Sequence, residues 1–318
     1  MLARMQNGLR SVGRNIRGSG SSRGSGFHSD NRTQRTWARV IECYDNVPEV
    51  FKNFFDPHRA SGRAFPYTVF TPGLETRECK ITAKLVSVFE HEIVFLEADG
   101  KGLAAQIYPL DGISFVKMSS MLLDSRFELH GSTTGGIQTS STVRFSTATD
   151  YLFTPVLRKI RLHAVRLDGA ARAPGAETFD EWNTSNFKFM NLARRSLLGG
   201  DQVLHAILQP ELRVSRLRIL GRTYYRTLSP THVSILTDRE LILIREEALD
   251  DRDDKYGGIW LYLALNKIGY VSMSRKNGSL LTLSVQMLSG ECFESIFQAS
   301  MEPEVEQLLV KFRGLRSE

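Results

Sequence analysis

The stretch Leu281-Thr282-Leu283-Ser284-Val285-Gln286-Met287, entered through Asn277-Gly278, decides the fold. Apolar and polar residues alternate along it, and a period of two belongs to a strand with one buried face. Asn277-Gly278 is a hairpin signal, because both residues tolerate the positive φ of a tight turn. The spacing therefore predicts a preceding strand over 268–275. Ser289-Gly290 makes the next turn, and 291–298 returns with Phe293 and Phe297 on one face. The period then changes. Val305, Leu308, Leu309 and Phe312 fall at i, i+3, i+4 and i+7, one face of a helix. Pro303 suits its first turn, the acids Glu302, Glu304 and Glu306 sit near its positive end, and Lys311 and Arg313 near its negative end. Gly314 marks its stop. A strand meander followed by one amphipathic helix lets the helix bury its apolar face on the open end of a small sandwich or barrel.

Upstream, 232–237 reads as a strand, Asp238-Arg239 as a turn and 240–245 as its return, with further strands over 259–263, 224–228 and 212–220. The N-terminal half follows the same order. Strands are predicted over 84–89, 93–97, 103–108, 113–118, 126–130 and 140–146. A helix then carries Leu152, Val156, Ile160 and Ala164 on one face, with Thr154-Pro155 at its start or at a kink. Tyr108-Pro109-Leu110-Asp111-Gly112-Ile113 corresponds to Leu263-Ala264-Leu265-Asn266-Lys267-Ile268, so a duplication of period about 155 residues is the economical account. Each half has a helical preface. Trp37, Val40, Ile41, Tyr44, Val50, Phe51, Phe54 and Phe55 supply the first, around Pro48. Phe187, Met190, Ala193 and Leu197 supply the second, capped near Thr184 or Ser185 and stopped by Gly199-Gly200.

On these residues the chain resembles the bacterial PH-like domains and, more loosely, the GRAM-like ones. Val233-Ser234-Ile235-Leu236-Thr237-Asp238-Arg239-Glu240-Leu241-Ile242-Leu243-Ile244-Arg245-Glu246-Glu247, the Asn277-Gly278 hairpin and the terminal helix carry the likeness. It implies an α+β chain with two antiparallel β-barrel or sandwich domains, each closed by a C-terminal amphipathic helix and preceded by a helical lead-in. The expected boundaries are a basic tail over 1–35, a first domain over 36–166, a linker over 167–184 and a second domain over 185–318. The resemblance also implies adaptor or membrane-peripheral roles. The departure from the pattern is a long acidic loop between Glu246 and Gly258.

Charge is unevenly placed. The net charge of +6 resides in residues 1–35, where seven arginines face one acid, Asp30, leaving 34 basic and 34 acidic residues in the rest. A neutral body argues against a broad nucleic-acid footprint, while the Gly/Ser/Arg tail is expected to be disordered and leaves open a contact with anionic lipid or, less favoured, nucleic acid. The same composition also fits a mitochondrial transit peptide. No run approaches the ~18 apolar residues of a membrane-spanning helix. Cys43, Cys79 and Cys292 form no Cys-x-x-Cys and read as reduced, mostly buried thiols of a cytoplasmic protein.

No catalytic, cofactor-binding or metal-binding motif emerges. The cluster Asp250, Asp251, Asp253 and Asp254 lacks the spacing and closing glutamate of a calcium loop, so it reads as a solvated loop. Arg213, Arg216, Arg218, Arg222 and Arg226, with Arg194 and Arg195 nearby, form a basic stretch opposed only by Asp201 and Glu211. Guanidinium forks suit phosphate or carboxylate, whereas charge on a strand edge also discourages aggregation. Tyr224 and Tyr225 read either as interfacial anchors or as half-buried strand residues. The expected function is binding or scaffolding without catalysis, toward a protein partner or a membrane surface. The alternative is an enzyme or small-ligand-binding protein with a site between the halves.

Overall fold

The computed structural model describes residues 37–75, 80–98, 102–164, 179–219, 222–246, 257–276 and 278–316. The tail over 1–35, most of the expected linker, the aspartate loop 250–254, Cys79 and Asn277 lie outside the described residues. The fold is α+β, with antiparallel sheets and, among the described residues, four α-helices.

The first half runs β1 (Arg39–Ile41), a 3-10 turn (Tyr44–Asn46), α1 (Glu49–Ala60), β2 (Tyr67–Thr71), the short pair β3 (Leu74–Glu75) and β4 (Lys80–Ile81), then β5 (Ala83–Val88), β6 (Glu92–Ala98) and β7 (Leu103–Pro109). A 3-10 turn (Leu110–Gly112) leads to β8 (Ile113–Met121), β9 (Asp124–Ser132) and β10 (Gln138–Ser146), and another (Thr147–Phe153) leads to α2 (Thr154–Ala164). The second half repeats this order. It runs α3 (Phe187–Ser196), β11 (Val203–Gln209), the long pair β12 (Leu212–Ile219) and β13 (Arg222–Ser229), then β14 (His232–Thr237), β15 (Glu240–Arg245) and β16 (Gly257–Ala264). A 3-10 turn (Leu265–Lys267) again precedes three strands, β17 (Ile268–Lys276), β18 (Leu280–Met287) and β19 (Cys292–Gln298), and a last one (Ala299–Met301) precedes α4 (Glu302–Arg316).

Packing explains why some strands alternate and others do not. In β18 the odd positions Leu281, Leu283, Val285 and Met287 enter one core with Val305, Leu308, Leu309 and Phe312 of α4. In β14 and β15 both faces are covered. Leu236, Leu241 and Leu243 face that same core, while Val233, Ile235, Ile242 and Ile244 pack against Phe189, Met190 and Ala193 of α3. The first half matches: Ile93 and Phe95 of β6 join Val156 and Ile160 of α2, whereas Val94 and Leu96 join Phe51 and Phe55 of α1. A strand sandwiched between two apolar layers reads as a continuous apolar run rather than as an alternation.

The sheets do not close into barrels. The strands lie in the orders β1-β2-β5-β6-β7, β17-β18-β19 and β10-β9-β8-β16-β15-β14-β11, besides the two isolated hairpins. The last order shows why closure fails. The edge of β8 pairs with β16 of the second half, with Val116 opposite Tyr262 and Met121 opposite Gly257, instead of folding back on its own half. This seam fuses the halves, and the described residues all fall within one compact unit. The chain re-enters the core before α3, since Phe179 and Trp182 are buried inside the expected linker.

Other expectations are corrected locally. Residues 39–41 form an edge strand on β2 rather than a helix, since β-branched Val40 and Ile41 complete an otherwise bare edge, and the helix begins only after Pro48. Asn186 caps α3 in place of Thr184 or Ser185, its side chain accepting from Phe189 N–H at 3.2 Å. The helix α4 runs through Gly314 to Arg316. Cys43 and Cys292 are exposed free thiols. Gly278 has φ of +67°, as the turn before β18 requires.

Because one sheet spans both halves, unfolding should be a single transition. We expect Phe127→Ala in the first core and Leu261→Ala at the seam to lower the midpoint of the same urea transition, with losses of unfolding free energy of roughly 3–5 and 2–5 kcal/mol. Two steps moved separately by the two substitutions would contradict this.

Candidate binding surfaces

The basic stretch folds into the hairpin β12–β13, whose strands pair only with each other among the described residues. Backbone register places Arg213 opposite Thr227, Val214 opposite Arg226, Ser215 opposite Tyr225 and Leu217 opposite Tyr224, with a bulge at Arg216. Arg218 pairs with Thr223 and Arg222 with Ile219 near the tip. All five predicted arginines are thus on one arm. Only the backbone of Arg216, Arg218 and Arg222 is described.

Directly opposed residues share a face, and alternation continues it along each strand. One face therefore carries Arg213, Ser215, Tyr225 and Thr227, and the other Val214, Tyr224 and Arg226. Neither face is covered: Val214 is 42% exposed, Tyr224 54% and Tyr225 63%. These tyrosines are not half-buried strand residues. At the base, Glu211 accepts from Arg213 Nε at 2.9 Å and from Thr227 Oγ1 at 2.6 Å, so Arg213 is held and partly neutralised. Arg226 makes no hydrogen bond or ion pair among the described residues.

A second charged cluster was not anticipated from sequence. Arg161 of α2 reaches across the seam to Glu240 at the start of β15. Its Nε lies 3.1 and 3.0 Å from the two carboxylate oxygens, and its Nη2 is 2.6 Å from Oε2. The guanidinium carbon stands 4.1 Å from the centroid of the Tyr262 ring. Asp201 completes the group, 4.0 Å from Arg161 and 3.9 Å from Arg239, with one oxygen accepting from Leu198 N–H at 2.7 Å. Side chains of Arg161, Glu240 and Asp201 are 5%, 1% and 0% exposed.

Burial disfavours the Arg161 cation, but the charge and hydrogen bonds of Glu240 outweigh it and raise its pKa. Burial pushes the Tyr262 hydroxyl up to about 12. Burial also raises the Asp201 carboxyl above its ordinary range, against the lowering effect of the Leu198 hydrogen bond and with help from Glu240. Arg161 and Glu240 satisfy each other and form a clamp between the halves, while Asp201 Oδ1 and Arg239 Nη1 are buried beside them without a hydrogen-bond partner among the described residues. Among the described residues no group of three or more His, Cys, Asp or Glu is placed to hold a metal ion. No helix among them is long and apolar enough to cross a membrane.

In comparisons with known proteins, no family model matches the chain and no curated protein matches it.

Removing one partner of the clamp strands a buried charge. Arg161→Met is expected to cost about 3–5 kcal/mol, and Arg161→Met with Glu240→Leu to recover most of it, both read by urea unfolding. The pH dependence follows from Asp201. Its folded form keeps a proton to higher pH than the unfolded chain, whose ordinary value is 3.8. Stability is therefore lost as pH rises from that value through the raised one. Asp201→Asn, which cannot ionise, should flatten that part of the stability profile; an unchanged slope would show that Asp201 is not its source.

Proposed function

We propose that the protein is a non-catalytic binding protein of two PH-like repeats, and that the β12–β13 arm docks it on an anionic membrane surface. The PH-like reading is supported by the recurring order in each half: strands of a first sheet, a 3-10 turn, three further strands and a closing helix. The fused, open sheets are a departure from two free-standing barrels. The docking reading rests on one observation, an arm that carries an arginine beside a tyrosine on both uncovered faces. Tyrosine suits the headgroup level of a bilayer, where its ring is shielded and its hydroxyl wet. Arginine is attracted by anionic lipid, at about 1 kcal/mol per residue near the surface. An arm exposed on both faces enters such an interface without uncovering any core. The cytoplasmic setting, with membrane contact made peripherally, belongs to the same proposal, and the tail over 1–35 adds attraction of the same sign.

Co-sedimentation with vesicles of phosphatidylcholine, alone or with phosphatidylserine, tests this. The full chain should pellet with the anionic vesicles only. Arg226→Ala with Tyr225→Ala should weaken binding about fivefold or more, in line with the loss of one interfacial charge and one anchor. Loss of binding on removal of 1–35, with the arm variant still binding fully, would assign the contact to the tail and refute the arm.

A further inference from the structure

A groove of about 610 Å³ runs beside the seam, bounded by α2, α3, β8 and β16. That size lies within the roughly 300–1,000 Å³ of small-molecule sites. Its floor is apolar. Met118 of β8, Trp260 of β16, Leu157 of α2, Leu192 of α3 and Leu197 just beyond are each only partly buried against the core and line the groove. Five apolar side chains from both halves thus leave surface uncovered at one place, which an aliphatic ligand would remove from water.

Gly258 shapes this floor. It stands two residues before Trp260, and a Cβ there would come within 2.9 Å of the indole Cη2. The absence of a side chain gives the ring its place along the strand. The rim is cationic. Arg158 of α2 and Arg195 of α3 line the groove and are exposed. Neither makes a hydrogen bond or ion pair among the described residues. Among the described residues of the groove wall Asp150 is the one carboxylate, and Arg161 is already neutralised by Glu240. Two guanidinium groups from different halves are left for an incoming anion.

We propose that this groove binds a single-chain amphiphile, its carboxylate or phosphate head held by Arg158 and Arg195 and its aliphatic chain laid over Trp260. The site uses no residue of the β12–β13 arm and does not depend on membrane docking.

Titration calorimetry of the full chain with dodecanoate, dodecyl phosphate and dodecyltrimethylammonium, each below its micelle-forming concentration, tests the proposal. Both anions should bind saturably at one site, and the cation should not. Arg158→Gln with Arg195→Gln should weaken both anions at least about tenfold, since one charge-assisted hydrogen bond exceeds the increment equal to a decade. Both positions are exposed, so the unfolding midpoint should hold. Gly258→Ala should weaken the anions by displacing the indole, and Arg226→Ala with Tyr225→Ala should change nothing, which separates this site from the arm. Absence of saturable heat, equal binding of the cation, or full affinity in the double glutamine variant would each overturn it.

Discussion

Arg161 leaves the last helix of the first half and ends on a carboxylate of the second, out of water and against an aromatic ring. The contact matters for placement more than for net energy. Desolvating two charges costs several kcal/mol, and apolar residues of similar shape often stabilise as well or better. What a charge in this position does is exclude alternatives. If α2 slid by one turn, Glu240 and Arg161 would each be buried without a partner. The pair therefore fixes α2 against β15 and β16, and with it the register in which β8 meets β16.

That register removes the main liability of each half. Taken alone, the first half would end its three-stranded sheet on a bare β8, and the second would end its sheet on a bare β16. Such edges recruit other strands. Paired with each other, with Lys117 opposite Leu261 and Trp260 opposite Met118, they form the middle of a seven-stranded sheet. The two halves differ most where pairing makes no demand. Between the first and second strands of the common pattern, the first half has the hairpin β3–β4 with two-residue strands, and the second has β12–β13 with eight-residue strands. Surface insertions of this kind tolerate change and carry contacts, because the scaffold beneath them is already satisfied.

Legibility in the sequence followed burial. β18 alternates because one face is wet, and it was readable at once. β14 and β15 were readable as apolar runs because helices cover their outer faces. β2 and β11 were not identified, for different reasons. Tyr67–Thr71 sits between Pro66 and Pro72, which look like loop punctuation. In Val203–Gln209 the polar residues are satisfied by distant partners: His205 by the Glu304 carbonyl at 2.9 Å, and Gln209, whose side-chain oxygen takes Gln298 N–H at 2.9 Å. The same blindness hid Arg161. In Arg158-Lys159-Ile160-Arg161 it looks like another solvated cation, and only Glu240, 79 residues away, makes it a buried one. The five arginines of the arm could be read as a basic stretch, but not that Glu211 would neutralise one of them.

One residue type thus occupies three electrostatic conditions. Arg161 is buried and ion-paired with Glu240, and its removal would be felt as lost stability. Arg213 is exposed yet tethered to Glu211, so its charge is partly spent within the hairpin. Arg158, Arg195 and Arg226 are exposed without a partner among the described residues. Outside the tail the chain balances its charges in number, so these cations are unpaired by position and not for want of carboxylates. A charge left in water costs the folded chain little and is strengthened when a ligand excludes that water. Recognition of anions is therefore expected at the rim of the groove and on the arm, where water can still be displaced, and not at the clamp, where the anion is already built in.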